Sequence, residues 1–272
     1  MRIIWALAGL FVLAYGGYCA ALYFRQGALV FPGKETDQAQ VEQFRRYYKS
    51  FEDVTVTVPG ATLRGYALWR APGKGPEKAL IYYGGNAEEA GAFFLWSPQA
   101  LPGWSIVSVD YRGYGASDGT STEELAVKDA LAVYDAVRER LGPAARIAVM
   151  GRSLGSGIAL RVAAGRDAAA LVLVTPYDSL ANVGADNYPF VPVKLLMRQR
   201  FDVTEDAPRV TAPTLFIVAD KDSLVRPERA EVLAALWKGE KEYRVLPGGH
   251  NGVIEGELYW PTISGFLNRE VR

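Results

Sequence analysis

The sequence predicts an α/β chain built on a mostly parallel central sheet, with helices on both faces and an apolar helix ahead of it. Three observations carry this. Five short runs, Ala79–Tyr83, Ser105–Val109, Arg146–Met150, Leu171–Thr175 and Thr214–Val218, are apolar at nearly every position, as strands buried on both faces of a parallel sheet are. Helical patterns fall between them, the alternation of an α/β sheet. Before them, Val54–Val58 and Thr62–Trp69 flank Pro59-Gly60, the pattern of an antiparallel hairpin.

Along the chain, Ile3–Phe24 carries no charged side chain and no proline. As a helix these 22 residues span roughly 33 Å, enough for a bilayer core of about 30 Å. Trp5, Tyr18 and Tyr23 lie toward its ends, as interfacial aromatics do, with Tyr15 deeper. A cleavable signal peptide is the competing reading, but its apolar core is shorter, about 7–15 residues. Cleavage after Ala20 would also put bulky Tyr18 where a small residue is needed. A single-pass anchor is therefore expected over residues 3–24. Arg2 and the terminal amine oppose Arg25 and Lys34 across it, so the positive-inside rule nearly cancels. A start this near the N-terminus resembles a signal-anchor, with the large domain outside the cytoplasm. The expected layout is an anchor over 1–25, a polar connector over 26–50 with a short helix at Gln38–Tyr48, and one α/β domain over 51–272.

Within that domain, Thr62–Trp69 should stop at Ala71-Pro-Gly73. Helices are expected at Glu123–Leu141, opened by Ser121-Thr122 as cap, at Gly155–Ala164 and at Pro227–Trp237. A last strand, Glu242–Leu246, precedes a closing helix at Leu258–Asn268. Ligands of such a sheet sit at the carboxyl ends of its strands.

Composition narrows the function. Lys+Arg 30 against Asp+Glu 30 gives zero formal charge, and no reason to expect a nucleic-acid partner. One cysteine, Cys19, allows no intrachain disulfide, and a single histidine excludes a multi-histidine catalytic metal site. That histidine, His250, follows the last strand in Pro247-Gly-Gly-His-Asn251. Earlier in the chain, the Arg146–Met150 strand runs into Gly151-Arg-Ser-Leu-Gly155 and then a helix, the context a nucleophile elbow needs. Glycines flank Ser153 because the turn leaves no room for side chains, and the Leu154 amide at the helix start points at developing negative charge. A second oxyanion donor is expected from Gly84-Gly-Asn-Ala87, with the Asn86 amide as the choice. The acid that orients His250 is expected to be Asp222, with Asp220 and Asp178 as alternatives at strand ends. Asp110 reads as a structural hydrogen-bonder supporting Tyr111–Gly115. The order Ser, Asp, His is that of an α/β-hydrolase.

The motifs Gly84-Gly-Asn-Ala87, Asp110-Tyr-Arg-Gly-Tyr-Gly-Ala-Ser117, Gly151-Arg-Ser-Leu-Gly-Ser-Gly157, Pro176-Tyr-Asp-Ser179, Asp222-Ser-Leu-Val225 and Gly249-His-Asn251 resemble those of the α/β-hydrolase superfamily. They are most similar to its membrane-anchored branch of serine-aminopeptidase-like and Bem46-like serine hydrolases. The resemblance covers roughly residues 50–270. Relatives usually carry a histidine before the oxyanion-loop glycine; Gly84 stands there in this chain. The resemblance also implies that residues 176–212 form a small cap. Its Tyr177, Tyr188 and Phe190 are the expected pocket residues, suited to an acyl chain or a membrane-facing entrance, although a helix simply packed on the core fits the same residues.

The function these observations predict is a membrane-anchored, monomeric serine hydrolase of acyl esters or thioesters, on a small-molecule or lipid-like substrate, with no metal or organic cofactor. Serine peptidase activity is the alternative within the class. A non-catalytic membrane-tethered scaffold is the alternative outside it.

Overall fold

In the computed structural model, which describes residues 1–70 and 76–272, the apolar runs become one sheet. The expected stop at Ala71–Gly73 lies outside the described residues. Helix α1 (Arg2–Val30) and helix α2 (Gln38–Tyr47) precede strands β1 (Phe51–Val58), β2 (Ala61–Leu68) and β3 (Lys78–Tyr83). A short 3-10 turn (Ala90–Leu95) and helix α3 (Ser97–Ala100) lead into β4 (Ser105–Val109), α4 (Glu123–Leu141) and β5 (Arg146–Arg152). Then follow α5 (Leu154–Gly165), β6 (Ala170–Val174), α6 (Leu180–Asn187), α7 (Val193–Leu196), β7 (Thr214–Ala219), α8 (Pro227–Leu236), β8 (Lys241–Leu246) and α9 (Tyr259–Glu270).

Among the described residues the sheet has eight strands in the order β1-β2-β4-β3-β5-β6-β7-β8. The β1–β2 hairpin is antiparallel, as expected from the Pro59-Gly60 break, and β2 joins β4 antiparallel. From β4 onward every pairing is parallel. Strand residues alternate between two cores because successive side chains point to opposite faces. Ala79, Ile81 and Tyr83 of β3 join α4 and α5 on one face. Leu80 and Tyr82 join Val41 of α2, Phe94 and α9 on the other. Burial on both faces is why these strands read as continuous apolar runs.

Local signals place the helix ends. Thr122 caps α4, its hydroxyl accepting from the Leu125 amide at 3.2 Å, and Asp37 caps α2 through the Gln40 amide.

Helix α1 is long and apolar enough to cross a membrane: an 18-residue window averages a hydropathy of 1.8 with no residue buried against the protein. It does not end at Arg25, where a polar connector was expected. It continues to Val30, which is buried with Phe31 in the first core. Phe31 packs its ring against Tyr111 and Phe201, and that burial extends the helix past the charge.

Candidate active site

Chain order changes direction between β3 and β5: the chain leaves β3 for β4 on one side and returns to β5 on the other. Loops at the carboxyl ends of these strands part there and leave a crevice. Ser153 stands in it, directly after β5 and before α5, with φ 50° and ψ −120°. A positive φ in a non-glycine residue costs energy and is held by what surrounds it. The Ser153 amide donates to the Val174 carbonyl at 2.9 Å, and the Ser153 carbonyl accepts from the Ser156 amide at 2.9 Å. A Cβ at Gly151 would lie 2.0 Å from the Gly155 carbonyl oxygen, and one at Gly155 would lie 2.0 Å from that of Tyr83. The two glycines of the motif are therefore required by contact.

His250 follows β8 and Asp222 follows β7. Asp222 Oδ2 is 2.7 Å from His250 Nδ1, and His250 Nε2 is 3.0 Å from Ser153 Oγ. The other Asp222 oxygen accepts from the Leu224 and Val225 amides at 3.0 and 2.8 Å, which fixes the carboxylate. An ionised carboxylate only accepts, so Nδ1 carries the proton and Nε2 is free to accept the Ser153 hydroxyl proton.

The two other aspartates weighed for this place do different work. Asp220 Oδ1 accepts from the Gly248 amide at 2.8 Å and braces the loop before His250. Asp178 is held by Asn182, 2.5 Å away, and by Arg229 at 3.5 Å.

Asn86 and Leu154 line a cavity of about 380 Å³ together with Ser153. Leu154 is the first residue of α5, where backbone N–H groups have no intrahelical acceptor. The Asn86 loop is held by hydroxyls from the Asp110–Ser117 segment: Tyr114 donates to the Asn86 carbonyl at 2.7 Å and Tyr111 to that of Gly84 at 2.8 Å. The space beside Gly84 is taken by Glu88. A Cβ at 84 would press on the Glu88 Cβ at 3.1 Å, because Glu88 folds back to accept from the Gly85 amide at 2.9 Å and the Tyr82 hydroxyl at 2.6 Å.

Glu88 also pairs with Arg152, a residue sequence reasoning passed over. Arg152 is buried beside Ser153, and its Nη2 donates to Asn251 Oδ1 at 2.6 Å and to the His250 carbonyl at 3.2 Å. One guanidinium thus ties the Ser153 turn to the loop after β3 and to the histidine loop. Its only sequence signal was a long cation between Gly151 and Ser153. A buried pair of this kind is costly to break from one side, since the remaining charge stays uncompensated.

Of the three expected pocket residues, Tyr188 lines the cavity. Tyr177 does not; it is 1% exposed, lies against Gly157, and donates to the Leu154 carbonyl at 3.2 Å, so it supports α5 from within the core. Phe190 is not a wall residue either. It is 87% exposed at the tip of the 176–212 segment. Sequence reasoning missed the wall supplied by α1, from Leu22, Gln26, Leu29 and Val30, because nothing local pairs a membrane-type helix with a pocket 120 residues away.

Asp110 supports its loop as expected, its carbonyl accepting from Ser117 Oγ at 3.0 Å, and its carboxylate accepts from the Ala90 amide at 2.7 Å. Burial pushes its carboxyl up to about 7, with nearby Glu89 adding to the rise and the Ala90 bond opposing it. The folded chain therefore holds this proton where the unfolded chain, near 3.8, has lost it. Stability from this group is full below about pH 4 and is lost as pH rises through 7, by up to about 4 kcal/mol. Asp110→Asn is expected to flatten the fall in urea midpoint between pH 5 and 8 and to be the more stable form at pH 8.

A sequence model described as the alpha/beta hydrolase fold matches residues 78–207. The uncharacterized protein Rv2307c of Mycobacterium tuberculosis is 36% identical over 224 residues, covering 79% of this chain and 78% of that one. The chain belongs to the α/β-hydrolase superfamily. Among relatives with a named activity, the lysophosphatidylserine lipase ABHD12 of Danio rerio is 27% identical over 168 residues, covering 54% of this chain and 44% of its own length. The solved structure of a membrane phospholipase A, a bacterial virulence factor, superposes with a TM-score of 0.64 at 16% identity and 98% coverage of both chains. At that identity the likeness is one of fold, here extending over nearly the whole chain.

Proposed function

We propose that this α/β-hydrolase is a membrane-anchored serine hydrolase that cleaves acyl esters or thioesters. The observation that carries the reading is the hydrogen-bonded chain Asp222–His250–Ser153, at 2.7 and 3.0 Å, ending in a mostly apolar cavity. His250 Nε2 takes the Ser153 proton as Oγ attacks the acyl carbonyl. Asp222 holds the imidazole in the competent tautomer and stabilises the imidazolium. The Asn86 and Leu154 amides receive the oxyanion, whose charge develops in the transition state, where such donors act most strongly. His250 then protonates the leaving group, and water repeats the sequence on the acyl-enzyme.

The cavity wall is mainly aliphatic, with Leu180, Val183, Val191 and Met197 among its residues, which suits the acyl side of an ester. An ester or thioester leaving group also asks less of a small site than an amide does. Residues 3–24 are the anchor in this reading, 51–272 the catalytic domain and 176–212 its cap. Placement in the membrane-anchored serine-aminopeptidase-like and Bem46-like branch is part of the same proposal, and the lipase name of the Danio rerio relative points the same way.

A fluorophosphonate probe tests it. Wild-type protein should be labelled and Ser153→Ala should not, with both equally folded by circular dichroism. Folded wild-type protein that resists the probe would overturn the reading.

A further inference from the structure

The cap segment and α1 meet along a seam that runs with the helix axis. At one end Gln26 Nε2 donates to the Leu196 carbonyl at 3.2 Å, and Gln26 Oε1 accepts from the Arg198 amide at 2.6 Å. One turn earlier, the Arg198 guanidinium lies 4.7 Å from the Tyr23 ring centroid and donates to its hydroxyl. At the far end the Tyr15 hydroxyl donates to the Phe190 carbonyl at 2.6 Å. Tyr15 and Tyr23 are eight residues apart, about 12 Å along an α-helix.

The uncharged run of α1 ends at Phe24 and Arg25 follows. The Tyr23–Arg198 contact therefore marks the level at which the apolar stretch meets water, where a tyrosine and an arginine are both at home. Phe190 lies about 12 Å beyond that level, alongside residues long and apolar enough to be in hydrocarbon, and it is 87% exposed. In water such a ring would be a standing cost; beside a spanning helix Phe190 faces acyl chains. The same two elements supply cavity wall, Leu22 and Leu29 from α1 and Val191 and Leu196 from the cap. A volume of about 380 Å³ is near the small end of ligand sites, about 300–1,000 Å³, which favours one acyl chain over two.

We propose that the cap tip, residues 188–192, is embedded in the membrane leaflet beside α1, and that the cavity draws a single-chain acyl ester from that leaflet laterally between α1 and the cap. The inference rests on the anchor and hydrolase readings above and assigns their substrate class and route. The ester would sit at headgroup level, within reach of Ser153, with the chain against α1.

Full-length protein carries the test. Cys19 is the sole cysteine, so a Cys19→Ala background with Phe190→Cys accepts one environment-sensitive fluorophore. In phosphatidylcholine vesicles this label should be quenched several-fold more by lipids spin-labelled in the acyl chain than by aqueous iodide. A label at Val245→Cys, on the edge strand β8 and 57% exposed, should show the reverse. Iodide quenching of the Phe190 label equal to that at Val245 overturns the embedding. Protein that fails to float with the vesicles overturns the anchor along with it. Neither readout needs catalysis, so failure of the serine mechanism is seen separately, as absent turnover of soluble p-nitrophenyl butyrate by wild type. In active protein, Phe190→Asp should lower the ratio of vesicle-borne monoacylglycerol hydrolysis to p-nitrophenyl butyrate hydrolysis at least tenfold. An unchanged ratio overturns lateral entry.

Discussion

His250→Ala is expected to lower kcat on an acyl ester by on the order of 10⁴ or more, about 5 kcal/mol of transition-state stabilisation, while leaving the circular dichroism spectrum unchanged. The loss follows from geometry. His250 is the only imidazole in the chain, and its Nε2, 3.0 Å from Ser153 Oγ, is the group placed to take the attacking hydroxyl's proton. Without it, Ser153 is an ordinary alcohol and only the oxyanion donors and the pocket remain. The partner acid can be separated in the same series. Asp222→Asn should fall by a similar factor, because an amide can present its N–H to Nδ1 and stabilise the wrong tautomer. Asp178→Asn should keep most of its turnover, since that carboxylate serves Asn182 and Arg229. Steady-state kinetics on one ester decides both. Retained turnover in His250→Ala would sink the triad, and loss in Asp178→Asn without loss in Asp222→Asn would move the acid.

Gly155→Ala should be among the costliest single-methyl additions near the site, together with Gly151→Ala. The added Cβ would stand 2.0 Å from the Tyr83 carbonyl oxygen and 2.6 Å from that of Gly84. Both are backbone atoms of β3 and the loop after it, so no side chain can swing away. The helix must retreat from the sheet or the Gly84–Ala87 loop must move. An overpacking cost of about 3 kcal/mol lowers Tm by about 6–12 °C in a domain of this size. Activity should fall as well, because Asn86 sits two residues past Gly84. Gly165→Ala, at the other end of the same helix, is the comparison: its Cβ would meet only Leu131 Cδ2 at 3.5 Å, an ordinary contact, and its Tm should stay within about 2 °C. A thermal melt of the two variants is sufficient; equal Tm values would show that the turn tolerates a side chain.

Much of the fold was legible because its signals are local. Ser105–Val109 and Glu123–Leu141 stand in the structure with the bounds their patterns predicted. Buried parallel strands are apolar throughout, and α4 has a threonine cap and a glycine just past its end. The elbow was legible for the same reason, since the steric demand of one tight turn is written in five consecutive residues.

Errors came where a residue's role depends on something distant in sequence. Tyr177 and Phe190 look alike in an aromatic-rich segment, yet one is sealed under α5 and the other projects from the tip. Helix α1 was expected to yield to a connector at Arg25; the docking of Val30 and Phe31 on the core carries it further. Arg152 ends β5 and Glu88 lies in the loop after β3, and neither declares anything singly.

By itself, then, the sequence determined what is set by neighbours along the chain: strand and helix periods, the glycine-pinched turn at Ser153, the apolar length of Ile3–Phe24, and a single histidine with no rival. Tertiary structure alone decided which aspartate meets His250, which charges brace the loops, and that α1 walls the cavity. Those are choices among residues 28 to more than 100 positions apart. Chain entropy leaves such pairs unspecified until the sheet is assembled, and close packing then admits one arrangement.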